Sequence, residues 1–503
     1  MIRQQQTRSW FQIAILGLLF VVSMSVRLFD LDDPPLDFHP ARQLHSALMA
    51  RGFYLENGGH LPGASTEYES EARMRGVQEP WIEPPVLEKL TSWSYKLAGD
   101  ADLRIPRVLS IVCWLAGGWG LLVFCRRTLR FSGQLAALGF FLLYPYAVSA
   151  SRSFQPDPLM VALMIWSLTM ISAWAAEPTL KRAVWAGLLT GAAIFVKQVS
   201  VFPLLAAYAF MILASPDRKR RLTSLGFWLI IVLSALPVLL YNYWGVFIDG
   251  FLAQQYQGRF FFSELISPAF YVRWLRQLDQ VFTLPLFVLA LAGCLTHPER
   301  RIRILWLGYL AGYIVYGCVL PHHIGTHDYY QLPLFPLVAF GLGALVQILF
   351  DSIDRIAKRA DFARGAVTLL LLILMLWWTA ESLMTLKRAD YRVWPERWQK
   401  LATELDPYPG QINTIGVMED YGAGMVYWGL RTPMILDQSI EKLEPEMADQ
   451  KLRQALINRE YLIVTDLAGF YQQPRLQNWL MRNVSLMIEM EDCLVYDLRE
   501  LHD

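Results

Sequence analysis

Long apolar runs, separated by short charged punctuations, set the pattern of this chain. A bilayer core of about 30 Å needs roughly 20 mostly apolar residues per crossing helix, and about eleven such spans are expected here. They are Trp10–Val26, Ile105–Phe124, Gly133–Ala150, Pro158–Ala175, Ala183–Lys197, Ser200–Ala214, Leu222–Tyr243, Phe282–Leu295, Ile302–Leu320, Leu332–Phe350 and Ala366–Leu386. The fifth and sixth are short and contiguous.

Three segments break the pattern. Residues 27–104 are too long for a passive connection. Within them, Pro40–Tyr54 carries Leu44, Leu48 and Phe53 on one side, and Pro85–Leu97 carries Leu87, Leu90, Trp93 and Leu97, so two amphipathic helices are expected on the membrane surface. Gly245–Val281 is rich in aromatics and Gln. From residue 387 the period changes. Short β-like runs at Asn413–Val417, Met434–Leu436, Tyr461–Val464 and Cys493–Tyr496 alternate with helical stretches at Pro395–Leu405 and Lys442–Asn458, as in a small α/β domain. The expected architecture is an α-helical polytopic membrane protein with a long external first loop and a C-terminal α/β extracytoplasmic domain. It divides into a transmembrane part, 1–386, and a terminal domain, 387–503.

Charge placement orients the spans. Lys and Arg are retained on the cytoplasmic side, and Arg3/Arg8, Arg126/Arg127/Arg130, Lys181/Arg182, Arg218–Arg221, Arg300/Arg301/Arg303 and Arg355/Lys358/Arg359/Arg364 fall in alternate loops. The amino terminus is therefore expected in the cytoplasm and the C-terminal domain outside an inner cell membrane. The first run reads as a retained anchor, because no small-x-small cleavage site precedes Arg27. Composition agrees: 54% hydrophobic residues and a mean hydropathy of +0.31 argue against a soluble enzyme. A net charge of +1 indicates no nucleic-acid surface. Five cysteines without a CxxC pair leave no disulfide framework, and no GxxxxGK[ST] loop is present, so phosphate handling falls to side chains.

Polar groups at the membrane boundary are expensive and mark pathways or sites. Four clusters share the outer side. Asp30-Leu-Asp32-Asp33-Pro34-Pro35-Leu-Asp37-Phe38-His39-Pro40-Ala-Arg42-Gln43 follows the first span; Asp30, Asp32 and Asp33 read as a solvated turn, Asp37 and His39 as base candidates and Arg42 as an anion clamp. Glu79-Pro80-Trp81-Ile82-Glu83-Pro84-Pro85 is equally a Pro-rich helix start and a substrate contact through Trp81 and Glu83. Ser151-Arg152-Ser-Phe-Gln155-Pro156-Asp157-Pro158 offers an Arg and an Asp at membrane depth, though Asp157 also suits an N-cap. Pro321-His322-His323-Ile-Gly-Thr326-His327-Asp328-Tyr329-Tyr330-Gln331 raises a metal reading through three histidines, but HHxxxH is not a ligand spacing of a known site, and His327, Tyr329, Tyr330 and Gln331 read better as cleft-lining groups. Lys197 is either a phosphate contact or a snorkelling lysine.

The order of these pieces, with "EPPVLEKLTSWSYKLAGDADLRIPRVLS", "SRSFQPDPLM", "GAAIFVKQVS" and "HDYYQLPLFPLVA", resembles the GT-C glycosyltransferases from about Arg8 to Phe350. The likeness is to the bacterial relatives of protein O-mannosyltransferases and of the lipid A aminoarabinose transferase. It implies transfer of a sugar from a polyprenyl-phosphate donor to a hydroxyl of a lipid, glycan or protein acceptor on the outer face. In such enzymes the acidic turn after the first span typically reads F-D-E, with the Asp as base. Here the stretch is Phe38-His39-Pro40, so Asp37 or His39 takes that role or the reaction is lost, and Glu83 replaces the family's basic residue before Pro-Pro. On this resemblance Asp157 orients the acceptor or holds a divalent metal, Arg42, Arg152 and Lys197 face the donor phosphate, and Trp81, Tyr329, Tyr330 and Gln331 grip the sugar. A transporter of lipid-linked sugars and a non-enzymatic scaffold are the alternatives; the absence of an internal repeat argues against the first.

Overall fold

A computed structural model of the chain describes residues 10–256, 261–356, 360–405 and 414–502. Arg3, Arg8, Lys358, Arg359 and Asn413, which entered the expectations above, lie outside them. The chain is a multi-pass membrane protein. Among the described residues seven helices are long and apolar enough to cross a bilayer, and two pairs bent at short breaks raise that to nine. The remaining two expected spans are the helices Leu180–Val196 and Val201–Leu213, of 17 and 13 residues. The eleven expected runs thus become seven full helices, two bent pairs and two short helices.

Both bends have local causes. Phe131–Leu143 and Pro145–Arg152 meet at 53°, where Pro145 cannot continue the preceding ladder. Pro268–Phe282 and Leu284–Thr296 meet at 85° around Thr283, which adopts φ 57, followed by Pro285. The expectation of one span at Phe282–Leu295 captured only the second limb of that pair, because the first is amphipathic rather than apolar throughout.

Contacts divide the chain into two compact units that interleave in sequence. The first comprises Met1–Leu31, Pro80–Leu87 and Pro106–Ala389 and holds the membrane helices. Its bend at Pro145 leaves carbonyls that lipid cannot satisfy. Arg27, wholly buried, supplies donors: Nη1 bonds the Leu142 carbonyl at 2.7 Å and Ser23 Oγ at 2.6 Å, and Nε bonds Ser151 Oγ at 2.6 Å. Small residues allow close helix crossings. A Cβ on Gly293 would lie 1.9 Å from the Gly341 carbonyl oxygen, so the helices Leu284–Thr296 and Phe335–Ile356 touch backbone to backbone.

The second unit comprises Asp32–Glu79, Glu88–Ile105 and Asp390–Asp503. Both amphipathic helices of the long loop are present, as Pro40–Glu56 and Val86–Ala98, with a third at Thr66–Gln78. The terminal part forms a five-stranded sheet from β1 (Thr414–Val417), β2 (Met434–Ile435), β3 (Tyr461–Val464), β4 (Ser485–Met490) and β5 (Cys493–Asp497), in the order β2-β1-β3-β5-β4. β1 runs parallel to β2 and β3, whereas β5 is antiparallel to β3 and β4. Four strands match the sequence reading. β4 is an exposed edge strand with a register shift between Leu486 and Ile488, so its residues show no clean alternation. The core under the sheet gathers Ile415, Val417, Leu462 and Val464 with Leu452 and Leu456 of Pro445–Leu456 and Leu476, Trp479 and Leu480 of Pro474–Asn483.

Candidate functional site

In the first unit the segment 151–158 is buried throughout, although it holds two serines, an arginine, a glutamine and an aspartate. Prolines at 156 and 158 start the helix Asp157–Ala176 and leave Ser153–Pro156 as an irregular break. Such non-helical backbone is tolerated at membrane depth only where protein or a cavity surrounds it. Asp157 is 1% exposed. Both of its oxygens accept from Lys197 Nζ, at 2.8 and 2.7 Å. Lys197 follows the helix Leu180–Val196 at a second break. Forty residues apart in sequence, the two form a fully buried ion pair, an arrangement that costs several kcal/mol of desolvation per ion before attraction repays it.

Tyrosines enclose the ammonium. Lys197 Nζ lies 4.9 Å from the ring centre of Tyr329 and 5.4 Å from that of Tyr330, a cation–π geometry. Tyr330 stacks at 6.2 Å on Tyr316, whose electrostatic neighbours include Asp157. His327 packs 5.5 Å from Tyr329 and 5.8 Å from Tyr330, with Nδ1 2.8 Å from Thr326 Oγ1. Gln331 is tied to the protein at both ends: its oxygen accepts from the Tyr313 hydroxyl, and its nitrogen donates to the Ile324 carbonyl at 3.0 Å. Arg152, 1% exposed, donates through Nη2 to the Asp30 carbonyl at 2.9 Å, and Arg107 Nη1 donates to the Leu31 carbonyl at 3.2 Å. Trp81 packs 6.0 Å from Trp244 and 5.9 Å from Phe251, and Glu83 is half-buried just before Pro84 and Pro85.

Asp37, His39 and Arg42 belong to the second unit. There Asp33 is buried and accepts from the Tyr391 backbone N–H at 2.7 Å, while Arg392 reaches Asp32 at 3.4 Å and Asp33 at 3.7 Å. The turn is therefore stapled to residues 390–392, and Asp33, expected to be solvated, is an internal acceptor. Asp37 accepts from Gln43 Nε2 at 3.4 Å, and the same nitrogen donates to the Phe38 carbonyl at 2.7 Å. His39 sits at the N-cap of Pro40–Glu56 with φ 48, a conformation that costs a non-glycine residue about 1–3 kcal/mol and concentrates at functional positions. Arg42 lies in the first turn of that helix, half-buried.

Two members of this cluster escaped the sequence reading. Tyr391 is pushed above the usual phenol range by burial and by the carboxylates of Asp37, Asp33 and Asp420. Asp420 follows β1 in a run of three left-handed residues, Asp420, Tyr421 and Gly422, at φ 48, 57 and 73. Burial raises its carboxyl above the usual range, and the neighbouring His39 opposes that rise. The only available signal was the Asp-Tyr-Gly turn after a strand, which many loops share.

Both carboxylate oxygens of Asp157 are engaged by Lys197. Among the described residues no cluster of three or more His, Cys, Asp or Glu is arranged to hold a metal ion, and the histidines at 322, 323 and 327 form no such group.

The sequence model of the dolichyl-phosphate-mannose-protein mannosyltransferase family matches residues 82–244. No curated protein matches the chain in sequence. Among solved structures, ArnT from Cupriavidus metallidurans bound to undecaprenyl phosphate is similar at a TM-score of 0.58 and 14% identity, over 96% of this chain and 98% of that one. The Archaeoglobus fulgidus oligosaccharyltransferase is similar at 0.57 and 13%, over 91% and 70%. The mycobacterial arabinofuranosyltransferase AftD is similar at 0.51 and 14%, over 97% of this chain and 40% of that one. The chain has the fold of the GT-C glycosyltransferases.

Proposed function

We propose that the chain transfers a sugar from a polyprenyl-phosphate carrier to an acceptor hydroxyl at the outer face of a cell membrane. The buried Asp157–Lys197 pair, set at two helix breaks and enclosed by Tyr329 and Tyr330, carries this reading. A purely structural helix bundle has little reason to keep an ion pair and two irregular breaks at membrane depth. The fold adds support, since one protein sharing it was crystallised with undecaprenyl phosphate and another was solved with a dolichol-phosphate. The alternation of basic loops supports the outward orientation of the C-terminal domain.

In the reaction the bond between the anomeric carbon and the carrier's phosphate oxygen breaks, and a bond from the acceptor oxygen to that carbon forms. The acceptor's proton passes to a base, and negative charge develops on the departing lipid phosphate. Lys197 and Arg152 meet that charge, with Asp157 orienting the ammonium. Arg42 is a further phosphate candidate through its planar fork. Asp37 and His39 are the base candidates, Asp37 by its carboxylate and His39 by its backbone strain and its neighbour Asp420. Trp81, Tyr329, Tyr330 and His327 offer faces and edges to the sugar, Glu83 a carboxylate for its hydroxyls, and Gln331 holds the 321–331 segment in place.

Transfer of labelled sugar by purified Asp37→Asn, His39→Ala and Asp157→Asn tests these roles. Loss of about a hundredfold or more in one of the first two identifies the base, and Asp157→Asn is expected to lower transfer as well. Wild-type rates in all three variants overturn these residue roles, whereas no transfer by the folded wild type favours a scaffold or transporter.

A further inference from the structure

Three polar side chains around the Asp157–Lys197 pair are wholly buried and have no hydrogen-bond partner among the described residues. They are the Gln155 carboxamide at both its oxygen and its nitrogen, the Tyr316 hydroxyl and Ser200 Oγ. Each is tied to that pair through the chain or through a ring contact. Gln155 lies two residues before Asp157 in the same break, and Ser200 lies three residues after Lys197, its backbone N–H on the Lys197 carbonyl at 3.2 Å. Tyr316 stacks on Tyr330, the ring 5.4 Å from the ammonium. Buried polar groups are almost always paired, because each one left unpaired forfeits its hydration without compensation. Gln331, a few residues from this centre, shows the usual outcome, with both amide ends satisfied by protein.

The chemistry of the orphans narrows what they are for. A phosphate only accepts hydrogen bonds from protein donors, and it has nothing to offer Gln155 Oε1, which is itself an acceptor. A ligand that satisfies both ends of the amide must donate as well as accept, as a sugar hydroxyl or amine does. We propose that Gln155, assisted by Tyr316 and Ser200, reads a hydroxyl or amine of the donor sugar, and so selects the sugar while Lys197 holds the phosphate. This rests on the transfer reading above and adds to it the residue that discriminates among sugars. A site built to hydrogen-bond a ligand group rejects analogues lacking that group, because the protein partner is then left unpaired.

The test uses the full chain in lipid nanodiscs, melted alone, with undecaprenyl phosphate, and with undecaprenyl-phosphate-linked hexoses and pentoses, beside Gln155→Met and Tyr316→Phe. Wild type is expected to gain stability from the bare lipid phosphate and a further increment from the lipid carrying its sugar. Gln155→Met keeps the first gain and loses the second, its ligand-free melting temperature is no lower than wild type, and kcat/KM for sugar transfer falls about ten- to a hundredfold. Tyr316→Phe is expected to reduce the sugar increment with the ligand-free melt unchanged. A ligand-free Gln155→Met that melts well below wild type, or fails to fold, overturns the proposal, since the amide then serves the fold. So does a Gln155→Met variant that retains the full sugar increment while wild type transfers sugar. A folded wild type that responds to none of these lipids and transfers no sugar sinks the transfer reading and this inference together.

Discussion

At the scale of single residues, the chain spends buried polarity in two different ways. Arg27 and His297 are buried and fully used by the protein. His297, 1% exposed, places Nε2 3.2 Å from the Thr128 carbonyl, and its Nδ1 accepts from the Glu299 N–H at 3.2 Å, so the network requires the neutral ring protonated on Nε2. Burial pushes the ring below the usual imidazole range, partly opposed by the Thr128 hydrogen bond. The folded state therefore binds fewer protons than the unfolded state. Stability is fully present above the ordinary value of about 6.5 and is lost as pH falls below it, until His297 itself protonates. Thermal melts from pH 7.5 to 5 are expected to show this decline, and His297→Gln to flatten it; an unchanged slope in the variant contradicts the assignment. The Gln155 amide, the Tyr316 hydroxyl and Ser200 Oγ, by contrast, are buried without a hydrogen-bond partner among the described residues, and on that contrast the ligand contact proposed above rests. Sequence could flag Asp157 and Lys197 separately, since each is a charge beside an apolar run. Nothing in periodicity joins two residues 40 positions apart, and Gln155, although part of the 151–158 cluster, carries no charge to single it out beside Arg152 and Asp157.

At the scale of elements, helix type and position were largely legible because apolar runs are dictated by the bilayer, whereas bends and contacts were not. Proline marked the break at Pro145, but the partner that satisfies it, Arg27, stands more than 100 residues earlier, where the sequence pattern places the start of the long external loop. The acidic turn after the first helix shows the same limit. Asp33 looked solvated, yet its acceptor role is set by Tyr391, 358 residues away in sequence. Close crossings depend on glycine in a way that can be measured. Gly293→Ala would put a methyl group 1.9 Å from the Gly341 carbonyl oxygen, so the helices must separate, and overpacking of this kind costs about 1–3 kcal/mol or more. A clear drop in melting temperature in detergent is expected, with Gly17→Ala, where the Cβ meets nothing within 4 Å, as the silent control. Equal melting temperatures for the two variants would contradict the backbone contact.

At the scale of the whole molecule, the membrane helices with their buried polar break and the unit bearing the acidic turn and the α/β sheet are joined by a chain that passes between them repeatedly. The general architecture was readable from hydropathy and the late switch to strand-like runs. The interleaving was not, because composition does not say which loop packs with which distant segment. The central claim is that this molecule consumes a lipid-linked sugar. The most direct measurement incubates the purified chain in lipid nanodiscs with radiolabelled undecaprenyl-phosphate sugars and a membrane extract as acceptor source, following labelled donor, labelled product and released undecaprenyl phosphate together. The account predicts that at least one sugar is transferred, with one undecaprenyl phosphate released for each label moved, and that Asp157→Asn suppresses both. A folded wild type that leaves every donor intact and releases no undecaprenyl phosphate would contradict it.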